Sequence, residues 1–186
     1  MKSIFAIACA AAALCAAALA FGAVMVKLET KDLAGQAEEV VVGKVAAAKA
    51  QWDDKKTKII TLTTVQIAET VKGDLKGEVV VRTLGGEVDG LAQLVPGMPQ
   101  FTKDEEVVLF LKSENKTWHV VGLGQGKYHV LREKDKEPVV VNSLTGLTLG
   151  KQDDKGGVTI DKAAPAPINR PLKAFLDEVR ALAAKK

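Results

Sequence analysis

GGEVDGLAQLVPGMPQFTKDEEVVLFL, residues 85–111, runs from a Gly-Gly break through a Pro- and Gly-rich loop into the most apolar strand candidate after the N-terminal segment. Its end predicts a strand over Glu105 to Lys112 that is apolar on both faces. Val107, Leu109 and Leu111 lie on one side, and Val108 and Phe110 on the other. That pattern belongs to a central strand covered on both faces, so a second layer must lie over it. The beginning, Gly85 to Gln100, is a connection longer than a compact domain uses without a reason. Either it binds something, or Leu91 to Val95 forms a further strand.

The covering layer is expected at the C-terminus. Pro171 opens an amphipathic helix over residues 171–184, with Leu172, Phe175, Leu176, Val179 and Leu182 on one stripe, and this stripe is assigned to the outer face of the central strand. On the N-terminal side, Thr30 to Glu38 predicts a short helix with Thr30 as N-cap and Leu33 and Ala37 on a shared face. Val40 to Trp52 and Thr57 to Val71 predict a long hairpin around the polar turn at Asp53 to Lys56. The second of these strands places Ile59, Thr61, Thr63, Val65 and Ile67 on one face. Gly77 to Leu84 is a further strand, with Val79, Val81 and Thr83 facing one way and Val80 and Arg82 the other. Thr117 to Leu123 and Gly126 to Arg132 read as a hairpin about a two-residue Gly124-Gln125 turn. Pro138 to Asn142 reads as a last edge strand, Gly150 to Gly157 as loop, and Asp161 to Pro171 as a Pro/Ala linker.

Short strands separated by turn signals, with helices only at the ends, predict a mainly β fold: a small antiparallel barrel with both helices packed on it. At 186 residues the chain is expected to form one domain, the barrel spanning residues 28–160. Hydrophobic residues at 47% and charged residues at 26% are ordinary globular values, unlike those of a disordered chain. A formal net charge of +3, spread along the chain, lacks the concentrated basic face that nucleic acid requires.

Residues 1–20 read as a signal peptide: Lys2 is a positive n-region, an apolar run begins at Ile4, and Ala18-Leu19-Ala20 is a small-residue cleavage site. The expected location is therefore secreted or periplasmic. Because the apolar run continues to Val26, an inner-membrane signal anchor is the alternative. Cys9 and Cys15 both lie in this segment, so the mature chain is expected to carry no thiol. That excludes a disulfide framework, a Cys nucleophile and thiolate metal ligands.

No catalytic set is apparent. His119 and His129 are the two histidines, and a two-residue turn would point them to opposite faces. No Asp or Glu is fixed by spacing to complete a metal site around them. G-x-S-x-G and H-E-x-x-H motifs are absent, and Gly122-Leu123-Gly124-Gln125-Gly126 lacks the Lys and the strand-to-helix setting of a phosphate loop. Asp53-Asp54, Glu105-Glu106 and Asp153-Asp154 read as solvated turn and edge charges, and Trp118 and Tyr128 as core aromatics. No cofactor is implied.

EVVVGKV over Glu39 to Val45, a strand ending at Glu69 to Gly73, the Gly-rich segment and DEEVVLFL over Asp104 to Leu111 resemble the netrin-module and tissue-inhibitor-of-metalloproteinase-like OB-fold pattern, particularly its secreted bacterial members. The resemblance covers roughly Thr30 to Leu131 and implies a closed five-stranded OB-like barrel. The animal inhibitors chelate zinc through an amino-terminal Cys, which the expected mature chain lacks. The expected function is a non-enzymatic exported binding module recognising a protein or cell-envelope partner through its loops. The alternative is a protease inhibitor or protease-associated factor using another contact. The expected binding residues are those of the long loop: Gly85, Gly86, Glu87, Asp89, Leu91, Met98 and Gln100.

Overall fold

The computed structural model describes residues 24–142, 144, 148–152, 158–160 and 168–184. The expected signal peptide, both cysteines and Asp153-Asp154 lie outside these residues. Five strands close a ring: β2 (Glu39–Trp52), β3 (Ile59–Lys72), β4 (Glu78–Leu84), β8 (Thr117–Val120) and β7 (Glu106–Glu114), with β7 returning to β2. For this numbering β1 is Val24–Val26, β5 is Gly86–Val88 and β6 is Leu91–Gln93. Neighbours in the ring are antiparallel except β4 and β8, which run parallel through Val81 and Trp118. This is an OB-like connectivity, and closure leaves the ring without an exposed edge.

Long β2 turns the corner by register shifts at Val40/Val41, Val42/Gly43 and Val45/Ala47. Gly43 stands where β3 passes close against β2. A Cβ there would lie 2.5 Å from the Gln66 carbonyl oxygen and 2.7 Å from Val65 Cγ1, so no other residue fits without moving backbone.

The double-faced apolar pattern of β7 is used on both sides. Val107, Leu109 and Leu111 point into the barrel against Val41, Val45, Val65 and Val81. Val108 and Phe110 point outward, into a second core formed with α1 (Thr30–Gln36) and α2 (Leu172–Ala183). Phe175, Leu176 and Val179 of α2 are buried there, as the stripe predicts, and Leu172 and Leu182 flank them. Phe110, Tyr128 and Phe175 make a ring cluster with centroids 4.6–6.2 Å apart. Burial pushes the Tyr128 hydroxyl up to about 12, an Asn142 hydrogen bond partly offsetting the shift. The cap of α1 is Glu29, not the expected Thr30: the Glu29 amide donates to Asp32 Oδ2 at 3.0 Å.

The expected hairpin of Thr117–Leu123 on Gly126–Arg132 does not form. β8 and β9 (Lys127–Leu131) instead share one edge of β7, with β9 along Val107–Leu109 and β8 along Leu111–Glu114. The link between them is a 3-10 turn, Leu123–Gly126, entered through Gly122 at φ 63. Its Gln125 is buried because its side chain satisfies the incoming N-terminal backbone. Nε2 donates to the Val26 carbonyl at 3.0 Å, and Oε1 accepts from the Leu28 amide at 2.8 Å.

Beyond β9 the sheet continues. β10 (Val139–Asn142) is internal, paired to β9 on one side and to β13 (Ile168–Pro171) on the other, so it is not an edge strand. β13 occupies the end of the expected linker, whose residues 161–167 lie outside the described residues. Strand β11 (Thr148–Gln152) takes the start of the expected Gly-rich loop; residues 153–157 are likewise outside the described set. It pairs in parallel with β1 and antiparallel with β12 (Val158–Ile160). The last residues of the long apolar run, Val24–Val26, are therefore strand. No helix among the described residues is long and apolar enough to cross a membrane.

Candidate functional site

The long connection after β4 is a pinned hairpin followed by a short loop. β5 and β6 pair Gly86 with Gln93 and Val88 with Leu91. The tip is Asp89 at φ 53 and Gly90 at φ 76, the all-positive turn that suits the twist of a two-residue hairpin. Three hydrogen bonds fix its base to β3. The Gly85 amide donates to the Ile59 carbonyl at 2.8 Å, Thr61 Oγ1 donates to the Gly85 carbonyl at 2.7 Å, and the Ile59 amide donates to Gln93 Oε1 at 2.8 Å. Gly86, at φ +131, lies flat on the barrel: a Cβ would meet Thr61 Oγ1 at 2.7 Å and Ala50 Cβ at 2.8 Å. The alternative reading of Leu91 to Val95 as a strand is thus met over Leu91–Gln93.

Residues after Gln93 reach the turn between β8 and β9 and the start of β9. Gly97 accepts the Gly124 amide at 2.8 Å, Pro99 is buried, and the Gln100 carbonyl accepts from the Lys127 ammonium. The loop is held at both ends, with Leu94, Pro96 and Gln100 exposed between and beside the anchors. Leu94 is 83% exposed and Leu91 is 58% exposed, the largest values among the exposed large hydrophobic side chains.

The expected site residues therefore divide. Gly85 and Gly86 anchor the hairpin. Glu87, Asp89 and Leu91 are exposed along it, and Met98 and Gln100 line the clefts beside the following loop. Leu94, the most exposed apolar side chain of the segment, was missed because a Leu beside Val95 reads as core. Its separation from β6 by the end of the ladder at Gln93 is the feature that turns it outward.

Beside this loop opens a cleft of about 530 Å³, with Leu94, Val95, Gln100, Thr102, Lys127 and His129 among its walls. Glu105 organises its polar groups. Its Oε1 lies 2.8 Å from Lys127 Nζ and accepts the Thr102 amide at 2.8 Å, and its Oε2 is 2.9 Å from His129 Nδ1. The Lys127 side chain is 4% exposed and that of Glu105 12%. Glu105 is thus a partly buried ion-pair partner rather than a solvated edge charge, whereas Glu106 binds Arg132 in the forked manner expected at a surface. Burial alone would raise the Glu105 carboxyl, but hydrogen bonds from His129, Lys127 and Thr102 outweigh it and hold the group below the usual carboxylate range. Burial pulls the Lys127 ammonium below the usual lysine range, the Glu105 contact opposing the shift. The ammonium also lies 4.5 Å from the Phe101 ring centroid.

Chemically, this cluster is an acid, a base and an imidazole that satisfy one another. His129 donates through Nδ1 to Glu105, so only Nε2 remains for a ligand. His119 is elsewhere, opposite Lys112, while His129 is opposite Val107 and Val141. Residues 107 and 112 alternate in face along β7, so the histidines lie on opposite faces, set by their pairing to β7 and not by a shared hairpin. Among the described residues no three His, Cys, Asp or Glu side chains gather as a metal site. Asp53 closes its own turn, accepting the Thr57 amide at 2.7 Å and the Lys58 amide at 3.1 Å. Trp118 packs against the barrel interior and Tyr128 against the helices, which separates the two aromatics.

Comparison with protein-family models, with curated proteins and with solved structures finds no match to this chain.

Proposed function

We propose that this chain is an exported binding module of the netrin and metalloproteinase-inhibitor type that recognises a protein partner through the β5–β6 hairpin and the loop to Gln100. The observation that carries the reading is the exposure of Leu94, 83%, and of Leu91, 58%, on a backbone pinned to Ile59, Thr61, Gly124 and Lys127. Aliphatic side chains held out on an ordered backbone favour association, because burying them is favourable and little loop entropy is lost. Mutual satisfaction of Glu105, Lys127 and His129 supports binding over catalysis. Export follows from the N-terminal apolar segment and its Ala18-Leu19-Ala20 site. Mass spectrometry of the exported protein tests this last part: a terminus near Phe21 is expected, and an intact Met1 contradicts it.

Secreted proteases are the partner class to try first, by a contact that uses the hairpin instead of a cysteine. Stoichiometric inhibition of a secreted metalloprotease or serine protease, abolished by Leu94→Asp, identifies the partner. Recovery of a non-protease envelope protein that depends on the same residue leaves the binding reading intact and removes the inhibitor one.

A further inference from the structure

A second cleft, of about 310 Å³, lies on the other side of Met98 and Pro99. That volume is at the lower end of the roughly 300–1,000 Å³ range of small-molecule sites. Its walls combine basic side chains with an apolar surface. Arg82 and His119 each follow a residue of the parallel β4–β8 pair, Val81 and Trp118. Strand alternation therefore sets them next to one another, on the face opposite Val81. Lys58 joins them from the β2–β3 turn, and Met98, Pro99 and Leu123 form the apolar side.

The Arg82 charge is not paired within this cleft. Arg82 has no ion-pair partner among the described residues. Asp53 is the one carboxylate in the lining. Its two oxygens are engaged by the Thr57 amide and hydroxyl and the Lys58 amide, at 2.7, 3.0 and 3.1 Å, so it closes the turn and makes no ion pair with Arg82. These same hydrogen bonds, the Thr57 amide first, hold the Asp53 carboxyl below its usual range. A half-buried guanidinium beside an imidazole, without a carboxylate of its own, is a fork for an external anion.

The lining selects among anions. A phosphate or other dianion would bring a second negative charge towards Asp53 and has no hydrocarbon to set against Met98, Pro99 and Leu123. A single carboxylate fits the fork, and its hydrocarbon portion would replace water against Met98, Pro99 and Leu123. We propose that this cleft binds a small organic monocarboxylate, with the carboxylate on Arg82 and His119 and the apolar portion against Met98, Pro99 and Leu123. This site shares Met98 and Pro99 with the loop of the partner-binding reading but does not use Leu91 or Leu94, so the two are tested by different variants.

The test is a nuclear magnetic resonance titration of the 15N-labelled protein with hexanoate, hexanol and inorganic phosphate in parallel. Hexanoate is expected to shift the amides of Arg82, Thr83, His119 and Val120 saturably at millimolar concentration. Hexanol and phosphate are each expected to bind at least about tenfold more weakly, hexanol because it lacks the charge and phosphate because it lacks the tail. Arg82→Gln should weaken hexanoate by about tenfold or more. Lys58→Gln, in the turn just before β3 and outside the strands themselves, should weaken it by a smaller factor, providing a second reading should Arg82→Gln disturb folding. Absence of saturable shifts, equal shifts with hexanol or with phosphate, or unchanged hexanoate affinity in both variants would overturn the assignment.

Discussion

Gln93 Oε1 accepts a 2.8 Å hydrogen bond from the Ile59 amide, so a side chain on the last residue of β6 completes the backbone of the first residue of β3. The contact spans 34 residues and holds the hairpin base against the barrel. Gln93→Ala would leave the Ile59 amide without its partner. A loss of about 1–3 kcal/mol is expected, with faster hydrogen exchange at Val88 and Leu91 and little change at Val107 to Leu111. Uniform exchange across both regions would contradict a local anchor.

Thr63 lies fully buried in the barrel wall, and its hydroxyl has no hydrogen-bond partner. Thr63→Val keeps the β-branched shape and removes an unsatisfied group. The variant is expected to be more stable by about 1 kcal/mol, read as an increased urea midpoint with an unchanged m-value. A lower midpoint would mean that the hydroxyl does have a partner.

Leu109 and Leu111 are fully buried on the inner face of β7. Replacing either with Ala should cost about 2–5 kcal/mol, since the closed ring cannot collapse far around the cavity. Thermal unfolding would report it. A change within about 0.5 kcal/mol, of the size expected for a surface site, would be inconsistent with the described core.

Glu105→Gln should be destabilising by about 3–5 kcal/mol, because Lys127 would remain buried without its carboxylate. The pH dependence carries a second signature. The folded chain holds the Glu105 carboxyl below the usual 4.5, so the unfolded chain binds that proton first as pH falls. Its contribution is full above about pH 4.5 and is lost as pH falls through the lowered folded value. Denaturant titrations from pH 7 downward should therefore show a shallower loss of stability in Glu105→Gln than in the wild type. Parallel curves for the two proteins would show that Glu105 is not held low.

Much of the barrel was legible because its signals are local. The two-faced apolar run of β7, the alternation of β4 and the stripe of α2 each follow from period and side-chain type. The sharing of β7 by β8 and β9 was not, because two adjacent apolar runs about a Gly-Gln pair satisfy hairpin rules equally well. The feature that decides the matter is Gln125, which is buried to bond Val26 and Leu28, almost one hundred residues away in the chain (|i−j| of 97 and 99). β13 escaped notice for a similar reason: INRP has no alternation of its own and becomes a strand by pairing with β10.

At the candidate site the long connection was visible, but its division into anchor and exposed surface needed the contacts of Gly86 and Gln93. The Glu105 cluster left one usable trace, a Lys at the start of KYHVL. A charge entering an otherwise apolar strand is expected to have a buried partner.

The central claim is that Leu91 and Leu94 present a recognition surface. The most direct measurement is quantitative recovery of partner from a secreted or periplasmic fraction, using the wild type and the Leu91→Asp/Leu94→Asp double variant at equal folded concentration. Both side chains are exposed, so the variant should retain the wild-type melting temperature. The account predicts a specific partner on the wild type, and recovery reduced by at least about tenfold on the variant. Equal recovery by the two proteins would contradict it.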